Sequence, residues 1–538
     1  MTATNPTDHP TPNEPLASDE DGDVSGRGRL AKNVVASWLA QFVVIAGGFI
    51  LPRVVNDEIG QGALGVWDFA WSLTGLFALL QGGIVSSVNR FVAKHRALDD
   101  IDGISSAVSS VSLVLASLAA IIFALTVGIA FFIPHFLEDK LNEFAEQARW
   151  VILLLGTSFA IQVATSAFGG IITGHHRWDI QSSIHAVVNF TQFLAMIIAV
   201  LSGGGLIAMG IIVLVCESLG RGARILFAYR LCPGLHVRFS YVRRKMMGRM
   251  LSFGGKSLLP DLGGLLEYQL INVLITYCLH VTTLAVYARP LGLVRQAGTL
   301  VERFAYVLTP TASSLKATES NSALRDLLTK ATRAGLYLAL PMVLGLSIMG
   351  DLLLQVWMGE EYSGRSSWIL LIVLAVGHLA YMVQLPIKNI LAGLNAHGRP
   401  GVANFLSALV SAAGAAVALL FFDQGLVSVA LAITIPMTLV NGIYVPIYAC
   451  RKLKMDVLPY AFACVRGPIL CAIPFSACLV GGRYAFPDQP WGALLSGSVA
   501  GGLVLLPLYW RLVVPQKFKD KLTGKVHDGA GPIVPQPS

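Results

Sequence analysis

The chain has 538 residues, of which 54% are hydrophobic and only 13% charged, and its mean hydropathy is +0.66. Soluble domains carry about 25% charged residues, so a water-soluble globular fold is excluded and an all-α polytopic membrane protein is implied. The net charge of +8 does not indicate a nucleic-acid partner, because the basic residues sit in short loops between apolar segments.

Residues 1–26 are rich in Pro, Asp, Glu and Ser and contain no Lys or Arg, so 1–30 is expected to be a disordered cytoplasmic tail without a cleavable signal peptide. Apolar runs of spanning length then follow near 33–52, 64–88, 106–133, 148–173, 181–201, 206–229 and 251–278. Seven more lie near 284–308, 331–353, 367–393, 402–422, 426–449, 457–481 and 491–513, which makes about fourteen transmembrane helices. An even number places both termini on one side. Alternate loops carry Arg90, Lys94 and Arg96, then Arg177, then Arg238 to Arg249, Lys316, Arg399 and Arg451. The opposite loops hold few basic residues among acidic neighbours such as Asp57, Glu138 and Glu360. The positive-inside rule therefore predicts cytoplasmic termini in the inner membrane of a bacterium. The seven cysteines form no CxxC pair, and Cys464, Cys471 and Cys478 share one helix face, which points to packing rather than metal binding. No cofactor is expected.

The two halves echo each other at a nearly constant spacing. LGVW from Leu64 aligns with LAVY from Leu284, and the turn ITGHHRWD from Ile172 with LAGLNAHGRP from Leu391. In both turns a Gly ends the helix, as a C-cap would. The basic exits FAYRL and YACRKL also match. This predicts a first lobe at 31–230 (spans 1–6), a basic linker at 231–250 and a second lobe at 251–450 (spans 7–12). A terminal helix pair at 451–513 and a cytoplasmic tail at 514–538 complete it. Such repeats commonly hold substrate between the lobes.

The opening stretch from Asn33 to Lys94 carries Trp38, Leu51-Pro52 closing the first span, a Gly60 turn, the aromatic GVWDFAWSL at 65–73 and an Arg90-Phe91-Val92-Ala93 exit. It resembles the oligosaccharide flippases and polysaccharide exporters of the multidrug/oligosaccharidyl-lipid/polysaccharide (MOP) superfamily, which includes the MATE transporters. The resemblance implies two pseudo-symmetric six-helix lobes around a central cavity that opens alternately to each side. It also implies a lipid-linked oligosaccharide as cargo, usually on a polyprenyl diphosphate. Relatives that export cationic drugs often carry an acidic residue in span 1, whereas residues 33–52 contain none.

Charges inside the apolar spans mark candidate functional positions, because each costs about 2.5–3.5 kcal/mol at a helix centre unless it meets water or a partner. Lys256, Asp261 and Glu267 lie in span 7, Arg289 and Arg295 in span 8, and Lys388 late in span 10. Arg289, Arg295, Lys256 and Lys388 are the candidate substrate-binding set, since guanidinium forks match phosphate oxygens bidentately. Glu267, Asp68 and Asp261 are candidate acidic cavity or ion-coupling residues. Lys256 and Lys388 have a plainer reading as boundary charges and Arg295 as a partner of Glu302, while Asp68 could pair with a cavity arginine or cap a turn. Glu217 and Arg221 are an i,i+4 pair read as structural, and His175, His176 and Arg177 as a basic helix exit. Gly203-Gly204-Gly205 reads as a tight turn, and Pro260 with Gly263-Gly264 as a bend in span 7.

The leading reading is a flippase, not an enzyme, that moves a lipid-linked glycan across the membrane for surface polysaccharide synthesis. Membrane lipids and a glycan polymerase are the expected partners. The alternatives are a cation-coupled small-molecule antiporter of the same superfamily and a peptidoglycan lipid-precursor flippase. A membrane glycan polymerase is disfavoured, because the longest outer loops, near 134–147 and 353–366, are too short for a catalytic segment.

Overall fold

The computed structural model describes residues 30–81, 83–317, 320–421, 425–513 and 519; the expected tails 1–30 and 514–538 fall almost wholly outside the described residues. The described chain is helical and contains no strand. Its first half comprises α1 (Leu30–Glu58), α2 (Gln61–Leu76), α3 (Ala78–Gln81), α4 (Ile84–Arg96) and α5 (Ile101–Phe136). After these come α6 (Glu138–Leu141), α7 (Ala145–Gly174), α8 (Trp178–Leu201) and α9 (Leu206–Leu231). The second half comprises α10 (Arg244–Leu265), α11 (Ile271–Cys278), α12 (Val281–Tyr306), α13 (Leu308–Ala317), α14 (Asn321–Met358) and α15 (Arg365–Gly393). It closes with α16 (Gly398–Phe421), α17 (Gly425–Thr438) and α18 (Val445–Lys452). The terminal pair is α19 (Val457–Ala485) and α20 (Pro490–Leu512). Single π turns, Leu266–Leu270 and Leu439–Tyr444, join α10 to α11 and α17 to α18.

Among the described residues, twelve helices are long and apolar enough to cross a bilayer. The other two expected spans, α10–α11 and α12, are also helical; α12 carries Arg289, Arg295, Glu302 and Arg303, and the side chains of residues 251–261 in α10 lie outside the described residues. Helix α10 starts at Arg244, inside the expected basic linker. The irregularity in this span is the π turn, just beyond Gly263-Gly264, and Pro260 lies outside the described side chains.

The halves repeat one packing scheme. In the first, α1 packs on α8, α5 on α7, and α7 and α8 on α9; in the second, α10 packs on α16, α14 on α15, and α15 and α16 on α17. Backbone conformation repeats with it. Left-handed residues stand at His176 and Asn395, Gly203 and Gly425, and Gly234 and Lys454. All three pairs are separated by nearly the same length of chain. The glycines at the matching helix ends are not the left-handed caps that the turn sequences suggested. A Cβ on Gly174 would lie 2.6 Å from Val92 Cγ1, and one on Gly393 2.5 Å from the Thr309 carbonyl oxygen. Both allow close helix approach. At the opening of α5, Asp100 accepts from the Gly103 N–H at 2.7 Å and meets His95 at 2.8 Å, which holds its carboxyl below the usual range.

The terminal pair packs on α14. Arg483 of α19 forks onto Asp351 at 2.6 and 2.5 Å, and Cys464 and Cys471 are buried, as their shared face suggested. Helices α19 and α20 cross at glycines: a Cβ on Gly482 would lie 2.6 Å from Gly497 Cα, whereas nothing lies within 4 Å of one on Gly481. Gly482→Leu is therefore expected to cost about 1–3 kcal/mol by overpacking. Thermal unfolding in detergent should show a lower midpoint for Gly482→Leu and an unchanged one for Gly481→Leu. Equal midpoints would refute this crossing.

Candidate functional site: a charged cavity within the second lobe

A cavity of about 690 Å³ lies inside the second lobe rather than between the lobes, walled by α10 with its π turn, α12, α15, α16 and the π turn after α17. Arg295, Lys388, Glu267 and Glu302 line it together with Gln384 and Asn441. It reaches the end of the molecule that carries the basic loops, where His397 and Pro400 also form its wall. The lobe interior thus assembles three of the expected residues, Arg295, Lys388 and Glu267, from three separate spans. Among the described residues it sets two basic side chains beside two acidic ones, where sequence alone suggested a mainly basic site.

Arg295 is exposed on the cavity wall, with its guanidinium carbon 4.3 Å from the centre of the Tyr268 ring. A cation over an aromatic face gains about 0.5–2 kcal/mol, more as it is desolvated. The ring is held in turn by His378. The histidine Nδ1 lies 2.8 Å from the Leu374 carbonyl oxygen, so it must carry the proton, and Nε2 is left to accept from the Tyr268 hydroxyl at 3.4 Å. His378 is 2% exposed. Arg295 stacks on Tyr268 in preference to pairing along its own helix with Glu302. Next to Tyr268 in the π turn, Glu267 Oε1 is buried without a hydrogen-bond partner among the described residues.

Arg289 does not join this site. It lies six residues nearer the start of α12 than Arg295, about 9 Å along the axis, and is 5% exposed. Its Nη2 donates to Asp68 Oδ2 of α2 in a buried ion pair between the lobes. Arg289 and Arg295 were expected to bind one diphosphate together; in this structure they lie apart, and the buried Arg289 is paired with Asp68, which was expected as a cavity or ion-coupling acid. The side chains of Lys256 and Asp261 lie outside the described residues.

Around the Asp68–Arg289 pair the lobes close at the end opposite the basic loops. Asn272 donates to Ser72 Oγ at 2.9 Å, and Trp357 Nε1 to the Phe49 carbonyl at 2.7 Å. The Tyr362 hydroxyl donates to Asn56 at 2.9 Å, and burial pushes that hydroxyl up to about 12, so it keeps its proton. Gly65 is required here, because a Cβ would lie 1.9 Å from the Val281 carbonyl oxygen. Toward the basic end, Arg303 reaches Gln41 at 2.7 Å and α10 packs on α4 and α5.

The remaining sequence expectations resolve simply. Arg221 bonds Glu217 at 2.8 Å, Arg177 pairs with Asp179 at 3.0 Å, and Gly203 has the positive φ of a tight turn. Tyr268, His378, Gln384 and Asn441 were not among the expected site residues. A histidine in the middle of an apolar span, as in LAVGHLAY, is the sequence signal that marks His378; Tyr268 had only its adjacency to Glu267.

A family model described as polysaccharide biosynthesis protein matches residues 87–367. The uncharacterized membrane protein EpsK of Bacillus subtilis (strain 168) is 25% identical over 432 residues, 78% of this chain and 82% of its own length. Among solved structures, an inward-facing multidrug resistance MATE family transporter of the MOP superfamily superposes with a TM-score of 0.64 at 13% identity. That match covers 75% of this chain and 93% of the other. The lipid II flippase MurJ in an inward closed conformation also gives 0.64, at 15% identity, covering 89% and 100%. These structures share the fold of this chain.

Asp68→Asn would leave Arg289 buried without its counter-charge, a loss of about 3–5 kcal/mol for such a pair. In a cysteine-free background carrying Ser72→Cys, Asp68→Asn should speed labelling by a water-soluble thiol reagent. The exchanged pair Asp68→Arg with Arg289→Asp should slow it again. Labelling that ignores both changes would mean that the pair does not hold this end shut.

Proposed function

Because this chain belongs to the polysaccharide biosynthesis protein family and has the multi-pass fold of MOP-superfamily transporters, we propose that it translocates a lipid-linked oligosaccharide across the bacterial inner membrane. The observation that carries this reading is Arg295, fixed on Tyr268 at the wall of a cavity it shares with Lys388. A stacked guanidinium keeps its fork of donors available to an oxyanion, and an ammonium adds a mobile point charge beside it. Together they suit the diphosphate of a polyprenyl carrier, while the tail stays in lipid. By the positive-inside rule the basic end faces the cytoplasm, so the cavity would load there. Release would follow opening of the Asp68–Arg289 end and rocking of the lobes.

A second reading has its own support. Glu267 presents a buried, unpartnered carboxylate oxygen to the same cavity. That group would serve a coupling cation or proton, as in an antiporter of small cationic compounds.

Mass spectrometry of lipid-linked glycans in cells lacking the protein tests the two. On the first reading a polyprenyl-diphosphate oligosaccharide accumulates and wild type clears it. Arg295→Met and Lys388→Met should each weaken cargo binding about 10- to 100-fold, the worth of one charge-assisted hydrogen bond, and fail to clear it. Unchanged lipid-linked glycans alongside a new sensitivity to cationic drugs, reproduced by Glu267→Gln, would instead favour the antiporter.

A further inference from the structure

The first lobe holds a second cationic interior that the cavity of the second lobe does not use. On α9, Arg221 Nη2 donates to Gln162 Oε1 of α7 and to Glu217 Oε2, both at 2.8 Å. Arg224, one turn further, is 4% exposed. Its Nε and Nη1, and the Nε of Arg221, are buried without a hydrogen-bond partner among the described residues. Arginine does not shed its proton to escape such a place, and Glu217 neutralises one guanidinium of the two. The pair therefore stands one anion short.

The internal repeat maps most of this cluster onto the cavity of the second lobe. Carried across by the separation of His176 from Asn395 or of Gly234 from Lys454, Gln162 falls on Tyr381 and Glu217 and Arg221 on Met437 and Asn441, while Arg224 falls on Ile443 or Tyr444. Tyr381, Met437 and Asn441 line the cavity, and Ile443 and Tyr444 are not part of its wall. Depth agrees as well. Arg221 and Arg224 lie about 15 and 10 Å from the basic end of α9, and Arg295 and Lys388 about 16 and 8 Å from those of α12 and α15.

We propose that Arg221 and Arg224 form a second anion site, in the first lobe, for a phosphate or diphosphate group carried by a lipid headgroup or free in solution. Gln162 and Glu217 hold Arg221 in place, and Arg224 supplies the unsatisfied donors. Two oxyanion sites then lie at similar depth in the two lobes, whatever cargo the second-lobe cavity takes.

Calorimetric titration of the full-length protein in nanodiscs with inorganic pyrophosphate tests this. Wild type should bind two equivalents, Arg224→Met one and Arg295→Met one. The surviving sites should keep their affinity, and Arg224→Lys should bind at the first-lobe site about tenfold more weakly, since it keeps the charge and loses the fork. Without ligand, Arg224→Met should melt no lower than wild type, because it removes an unpaired buried charge; a purely structural arginine would give a lower midpoint. Should Arg224→Met not fold, Arg224→Gln gives the same stoichiometric reading. In the Arg295→Met protein, displacement of pyrophosphate by farnesyl diphosphate assigns the site to a lipid headgroup, and failure to displace assigns it to soluble phosphates. Wild type binding one equivalent or none, or Arg224→Met still binding two, overturns the proposal. Should Arg295→Met leave both equivalents in place, the cargo assignment to the second-lobe cavity fails while this site stands.

Discussion

A bilayer offers no water to a buried charge, so each charge inside the spans must find a counter-charge, a cavity or the headgroup layer. The placement of most charged side chains in this protein follows that constraint, and Arg224 is the exception among the described residues. Asp68 and Arg289 satisfy it by meeting across the lobes, and Arg295, Lys388, Glu267 and Glu302 by sharing a cavity. Arg483 satisfies it by forking onto Asp351 and tying the terminal pair to α14. The charged spans α10–α11 and α12 both contribute to the cavity wall. Their charge is what makes a hydrated interior necessary there, and the cavity is what makes their charge tolerable.

The same constraint explains why one pair sits where it does. Asp68 and Arg289 lie at nearly matching positions of the repeat, on helices that approach each other closely enough for Gly65 to need the absence of a side chain. An ion pair at such a contact is strong only while water is excluded, because its attraction falls steeply with rising local dielectric. Separation of the lobes would admit water and weaken the pair just as it stretched. Closure and opening are therefore each self-reinforcing, which is the behaviour of a two-state contact.

Much of this was legible in the sequence. Hydropathy located the helices, since spanning length and apolarity are local properties. The echo of LGVW in LAVY and of one helix exit in the other anticipated the repeat, which the left-handed residues His176 and Asn395 then fix in the backbone. Charged residues in apolar spans named Arg295, Lys388 and Glu267. Their partners were not legible, because pairing depends on which helices touch. Arg289 and Arg295 look alike along α12, yet one faces Asp68 across the lobe boundary and the other faces Tyr268. Tyr268 and His378 are 110 residues apart, a separation that no local pattern bridges.

The balance of charge in the cavity has a mechanistic consequence. Among the described residues, Glu267 and Glu302 stand on the cavity wall beside Arg295 and Lys388, so the two basic side chains share the interior with two acidic ones. A site built only of arginines would hold an anion tightly and release it slowly, whereas a translocator must bind and let go. The cation–π contact gives Arg295 a resting position on Tyr268 that needs no carboxylate, so on the proposed reading an arriving oxyanion would have no ion pair to break. Nearby carboxylates then temper affinity through repulsion. Arg289 has the opposite design, because its guanidinium is already paired with the Asp68 carboxylate across the lobes.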